Sequence, residues 1–98
     1  MPYRLSAKAE ADLHEIWSHL FADSGSGDVA DRVTDSITEL FLTLAKNPHI
    51  GRLRPDLTAE VRSFPVGSYV VFYRIETGVV VVVRVLHGRR DIPSLLGK

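Results

Sequence analysis

The apolar periodicity of this chain changes once, at Asn47-Pro48, and that change limits the possible folds more than any other feature. Before it, Leu13, Ile16, Trp17, Leu20 and Phe21 recur at helical spacing, as do Ala30, Val33, Ile37, Leu40, Phe41 and Leu44. Ser6 is a good N-cap, and Glu10 and Asp12 follow where the helix dipole favours negative charge. The first apolar stripe is expected to bury Trp17. Asp23-Ser24-Gly25-Ser26-Gly27-Asp28 breaks the pattern as a turn, and Asn47-Pro48 ends the second helix because a residue before proline avoids the α region. Two helices joined by a short polar turn form an antiparallel hairpin.

After Pro48 the periodicity is that of strands. Pro48 to Ala59 holds three helix-hostile positions, Pro48, Gly51 and Pro55, and reads as a connecting loop. Val61 to Phe64, Tyr69 to Ile75 and Val79 to Leu86 are rich in β-branched and aromatic residues, with turns at Pro65-Val66-Gly67-Ser68 and Glu76-Thr77-Gly78. The last strand is apolar on both faces and is therefore expected inside the sheet. With Tyr3-Arg4-Leu5 as a short opening strand, the expectation is an α+β fold. Its parts are a strand, a helical hairpin and an antiparallel meander in one sheet with helices on one face. The 98 residues suffice for a single domain, 1–98, with little chain left for a second site.

Several chemistries fail on spacing. With no cysteine there is no disulfide or thiolate metal site, which suits a reducing cytoplasm. His14 and His19 lie five residues apart, which puts their rings roughly 140° apart around a helix, so they do not form the i, i+4 pair of a zinc protease. Gly25-Ser26-Gly27 follows a helix and lacks the lysine and hydroxyl of a phosphate loop. No serine is singled out beside a histidine and an acid, and His49 and His87 are each more readily explained as structural. No catalytic set, metal or cofactor is expected. The longest aliphatic run, Val79 to Val83, is too short to span a bilayer, so the expected location is cytoplasmic, without a membrane partner.

Twelve basic residues balance twelve acidic ones, but unevenly: the chain up to Asn47 carries about −4 and the remainder about +4, nearly all of the latter arginine. Arginine forks onto carboxylate or phosphate and suits an anionic partner. Period-two alternation would place Val70, Phe72 and Arg74 on one face, and Val80, Val82, Arg84 and Leu86 on one face, with Arg62 joining them. Arg62, Arg74 and Arg84 are thus candidates for partner binding on an open sheet face, against the alternative that they pair with acids of the helices. A second candidate surface is the end of the last strand. There Arg89, Arg90 and Asp91 precede the small apolar anchor of Leu95 and Leu96, a combination of charge and apolar cover typical of binding hot spots.

Specific words in the sequence add a resemblance. Tyr3-Arg4-Leu5-Ser6 with Ala9-Glu10-Ala11-Asp12-Leu13 and Ile16-Trp17 resembles the opening of ParE-type toxins. Asn47-Pro48-His49-Ile50-Gly51-Arg52 is similar to their N-P-x-x-G-R segment, and the stretch from Arg62-Ser63-Phe64-Pro65 through Val71-Phe72-Tyr73-Arg74 to their R-x-F-P-x-G-x-Y-x-I/V-F-Y-R core. Val85-Leu86-His87-Gly88-Arg89-Arg90-Asp91 resembles their closing V-L-H-G-x-R-D. The resemblance is to the ParE branch of the RelE/ParE superfamily. It implies the toxin of a type II toxin–antitoxin pair, neutralised by a ParD-like antitoxin that folds onto it and covers apolar surface. It implies DNA gyrase as target, with nucleic acid met only indirectly. The RelE-type alternative cuts messenger RNA in the ribosome. Against it stand Val70, where those ribonucleases carry a basic residue, a tail of Asp91, Leu95 and Leu96 without their tyrosine or histidine, and the chain's neutrality; Arg90 alone matches a ribonuclease arginine. A non-toxic interaction domain is the remaining alternative.

Overall fold

A computed structural model describes residues 1–58 and 60–89. Its elements run β1 (Tyr3–Leu5), α1 (Ala7–Ser24), α2 (Gly27–Lys46), β2 (Arg52–Leu53), β3 (Arg62–Val66), β4 (Tyr69–Glu76) and β5 (Val79–His87). The α+β expectation holds: five strands form one sheet, ordered β1-β5-β4-β3-β2, under a helical hairpin. β3, β4 and β5 are the antiparallel meander, and β1 lies parallel to β5, which places β5 inside the sheet.

Each helix begins at a serine whose side chain accepts from a backbone N–H three residues on, Ser6 for α1 and Ser26 for α2. Gly25 ends α1 in the left-handed region (φ 69°), where its N–H donates to the Phe21 carbonyl, so the turn is shorter than the sequence suggested. Pro65 also belongs to β3 and not to the turn, pairing with Val70. The β4–β5 turn puts Thr77 and Gly78 at φ 44° and 76°, the double positive-φ geometry of a tight hairpin.

The core between helices and sheet gathers Ala9, Ile16, Ile37, Leu40, Phe41 and Leu44 against Val71, Tyr73, Val80, Val82 and Val85. Trp17 departs from expectation. It is half-buried, its indole N–H donates to Asp31 Oδ1 at 2.8 Å, and its ring stacks on exposed Phe21 at 5.3 Å. Ile16 turns to the sheet and Trp17, 100° further round, spans the flank between α1 and α2.

The far face of the sheet is not left bare either. Leu57, from the segment read as a plain loop, and Val61 pack on Phe72 and Leu86, with Val70 and Val83 beside them. The same segment contributes β2, which pairs with β3 through Arg52↔Ser63 and Leu53↔Arg62.

Candidate functional site

Strand alternation alone misplaces the arginines, because β5 carries a bulge. Phe72 pairs with Arg84 but Tyr73 pairs with Val82, so Val83 is an extra residue. Val80 and Val82 therefore face the helices while Leu86 joins the opposite cluster, and the expected row of Val80, Val82, Arg84 and Leu86 does not exist. Arg62, Arg74 and Arg84 are likewise not one surface.

Arg84 binds α1. Its Nε and a terminal nitrogen donate to the two Asp12 oxygens at 2.7 and 2.9 Å, with the side chains 15% and 11% exposed. Asp12 holds the guanidinium firmly charged, chiefly through this hydrogen bond, and its Oδ2 also accepts the Val85 N–H at 2.9 Å. β1 explains the arrangement. It ends at Leu5, opposite Val82, and leaves the outer edge of β5 unpaired from there on. Ser6 N–H then donates to the Val82 carbonyl, Ser6 Oγ to the Val83 carbonyl, and Asp12 accepts from Val85, so the start of α1 completes the edge that β1 leaves. Asp12 was legible as an acid on the apolar stripe, four residues before buried Ile16, a position that requires a buried cation.

Arg62 lies on the helix side of β3, where it donates to the carbonyls of His49 (3.2 Å) and Gly51 (2.8 Å). Buried Tyr73 completes that clamp. Its hydroxyl donates to the Pro48 carbonyl and accepts from the Gly51 N–H, both at 2.8 Å, and a Cβ at Gly51 would overlap its ring. The N-P-x-x-G-R words and the Arg62 and Tyr73 of the core motif thus meet in one structural joint between α2 and the sheet. Arg74, on the other face, pairs with Glu76 of its own strand, and Arg4 of β1 reaches the same carboxylate at 3.2 Å. Arg74, then Arg4, hold the Glu76 carboxyl below the usual range.

At the end of β5, His87 meets Tyr69 edge-on at 5.4 Å, and Gly88 N–H donates to the Ser68 carbonyl. Arg89 follows, exposed, with its N–H on His87 Nδ1 at 3.2 Å. Arg90, Asp91, Leu95 and Leu96 lie outside the described residues. Among the described residues no cluster of acids and histidines could hold a metal, and no helix is long and apolar enough to cross a membrane.

The sequence of this fold has relatives. The family described as the ParE toxin of the type II toxin–antitoxin system parDE matches residues 3–92. The chain belongs to the ParE toxin family. It is 36% identical over 91 residues to Toxin ParE1 of Mycobacterium tuberculosis, covering 92% of each chain. It is 37% identical over 96 residues to Toxin ParE1 of Caulobacter vibrioides, covering 98% of each. Among solved structures, a chain of the chromosomal ParDE system from P. aeruginosa superposes with a TM-score of 0.78 at 22% identity, over 89% of this chain and 95% of that one. A chain of the toxin–antitoxin complex RelBE2 from Mycobacterium tuberculosis gives 0.68 at 24%, over 88% and 95%. These two likenesses establish the RelE/ParE fold.

Proposed function

We propose that this ParE-family toxin inhibits DNA gyrase by protein–protein binding and is neutralised by a ParD-like antitoxin. The observation that carries the reading is the family match, which runs in register through nearly the whole chain, from Tyr3 to Ile92. Arg62, Arg74 and Arg84 are each engaged with carbonyls or carboxylates of the same chain, which disfavours the sheet face as the target surface. The target surface in this reading is the end of β5. Arg89 is exposed on a turn that the sheet holds through Gly88 and His87, and Arg90 and Asp91 come next in sequence. Arginine in such a place is a frequent hot spot.

The test is a supercoiling assay with purified gyrase, beside messenger RNA cleavage in translating ribosomes. Inhibition of supercoiling without cleavage is the expected result. Arg89→Ala/Arg90→Ala should weaken inhibition by about 30-fold, the loss of about 2 kcal/mol of a hot spot, with circular dichroism and antitoxin binding unchanged. Ribosome-dependent cleavage with intact supercoiling would overturn the reading in favour of a RelE-type ribonuclease.

A further inference from the structure

The turn that follows β5 leans on one side chain. Gly88 does not take a positive φ, and a Cβ there would meet the Ser68 carbonyl oxygen at 3.5 Å and Val70 Cγ2 at 3.9 Å, which are ordinary contacts. No glycine-only conformation therefore sets the direction of the chain. Beyond the Gly88 N–H bond to the Ser68 carbonyl, the direction is set by the Arg89 N–H, which donates to His87 Nδ1 at 3.2 Å. The ring is itself located by the sheet. His87 pairs with Tyr69 across β4 and β5, and its imidazole stands edge-on to the phenol at 80°.

A backbone N–H can only donate, so His87 Nδ1 is the acceptor and the neutral ring carries its proton on Nε2. The ring also lines two clefts, of about 360 and 590 Å³, which share His19, Tyr69 and His87 and so run together as one groove beside the end of β5. His87 is half-buried, and water reaches it through this groove. The titratable groups that face it there are Asp12, Glu15, His19 and Asp23 from α1 and Tyr69 from β4, while α2 and β3 line the groove with uncharged residues. Asp12 is engaged by Arg84, and Asp23 lies 3.6 Å from His19 Nε2. A second proton on the His87 ring goes to Nδ1, the very atom that accepts. The imidazolium has two donors and no acceptor, so an N–H then faces the Arg89 N–H.

We propose that His87 is a proton-sensitive pin: the neutral ring fixes the backbone of Arg89 through Nδ1, and protonation removes the acceptor and releases the turn. His87 is thus a positioning residue for Arg89. Its bearing on target binding rests on the reading of the end of β5 as the target surface; the pin itself does not.

The pin is read by NMR on the full-length toxin alone. The imidazole nitrogens of the neutral ring should report the proton on Nε2. As pH falls through the titration of His87, the Arg89 amide should shift and lose about five-fold in protection from solvent exchange, the effect of one modest hydrogen bond. His87→Asn offers a side-chain carbonyl near the place of Nδ1 and does not titrate, so it should keep the protection at every pH. His87→Phe keeps a ring on Tyr69 without an acceptor and should lack the protection at every pH. His19→Gln should leave the transition in place, which assigns it to His87. A neutral ring with its proton on Nδ1 would overturn the proposal, as would a transition that persists in His87→Asn or disappears in His19→Gln. In the supercoiling assay His87→Phe should weaken inhibition and His87→Asn restore it; equal inhibition by the two would refute the positioning role. An unaltered toxin that leaves gyrase untouched counts against the gyrase reading and not against the pin, which the amide signals decide alone.

Discussion

Asp12 shows how much one side chain can hold together. It neutralises a largely buried guanidinium and fills a hydrogen-bonding position on a strand edge. Asp12→Ala should therefore destabilise the fold by about 3–5 kcal/mol, the range for breaking a buried pair and leaving one charge behind, measured by urea denaturation. A loss below about 1 kcal/mol would mean that water replaces the carboxylate. Tyr73 does similar service at the other end of the sheet. Tyr73→Phe leaves the Gly51 N–H and Pro48 carbonyl without the hydroxyl and should cost about 1–3 kcal/mol. Burial raises the Tyr73 pKa, opposed by the Gly51 hydrogen bond and by Arg62. With the folded value above the unfolded one, the unfolded chain gives up the phenol proton first as pH rises. The stabilisation from the neutral phenol is then complete below about pH 10 and is lost as pH climbs through the folded value. Tyr73→Phe should flatten that alkaline decline in a pH series of unfolding midpoints. Burial raises Tyr69 in the same direction, so some slope should persist.

At the scale of elements, the sequence was most readable where a single period governs. Both helices, the Ser6 cap of the first and the β4–β5 hairpin were accessible from spacing and turn chemistry. The bulge at Val83 was not, because Val79 to Val83 is an unbroken run of valine whose pattern cannot say where an extra residue is inserted. That one residue also hid the side to which Arg84 turns. β2 was missed for a different reason: a two-residue strand has no period, and only its pairing with Arg62 and Ser63 defines it. Trp17 was misplaced because an apolar stripe of five residues is wider than the line that contacts the sheet. A tryptophan that bridges the helix flank should cost about 1–2 kcal/mol on change to alanine, below the 3–5 kcal/mol of a core aromatic. The native protein's emission should be accessible to a soluble quencher. Emission fully shielded from quencher would place the indole in the core after all.

The whole molecule is a charge-layered body. The helices carry eight acidic and three basic side chains, and the strands and loops around them carry most of the arginine. The polarity visible along the sequence is thus a polarity between layers, since the chain builds one layer before the other. No local pattern reports the groove beside the end of β5, because it is assembled from α1, α2 and three strands. β1 closes the assembly. Deleting residues 2–5 should expose the outer edge of β5 to other chains, and light scattering should show self-association of the variant. A monodisperse variant would mean that α1 alone protects that edge.

The pairing of the first strand with the last sets a clock on synthesis. Tyr3 waits for Val80, 77 residues later, an interval on the order of 4–15 s at about 5–20 residues per second. Throughout that interval the acidic helical hairpin lacks the β1–β5 pair that completes its sheet. Contacts this distant in sequence form late, after loop closure has been overcome. The turn bearing Arg89 is made after β5, so a half-made chain lacks the surface we propose for the target.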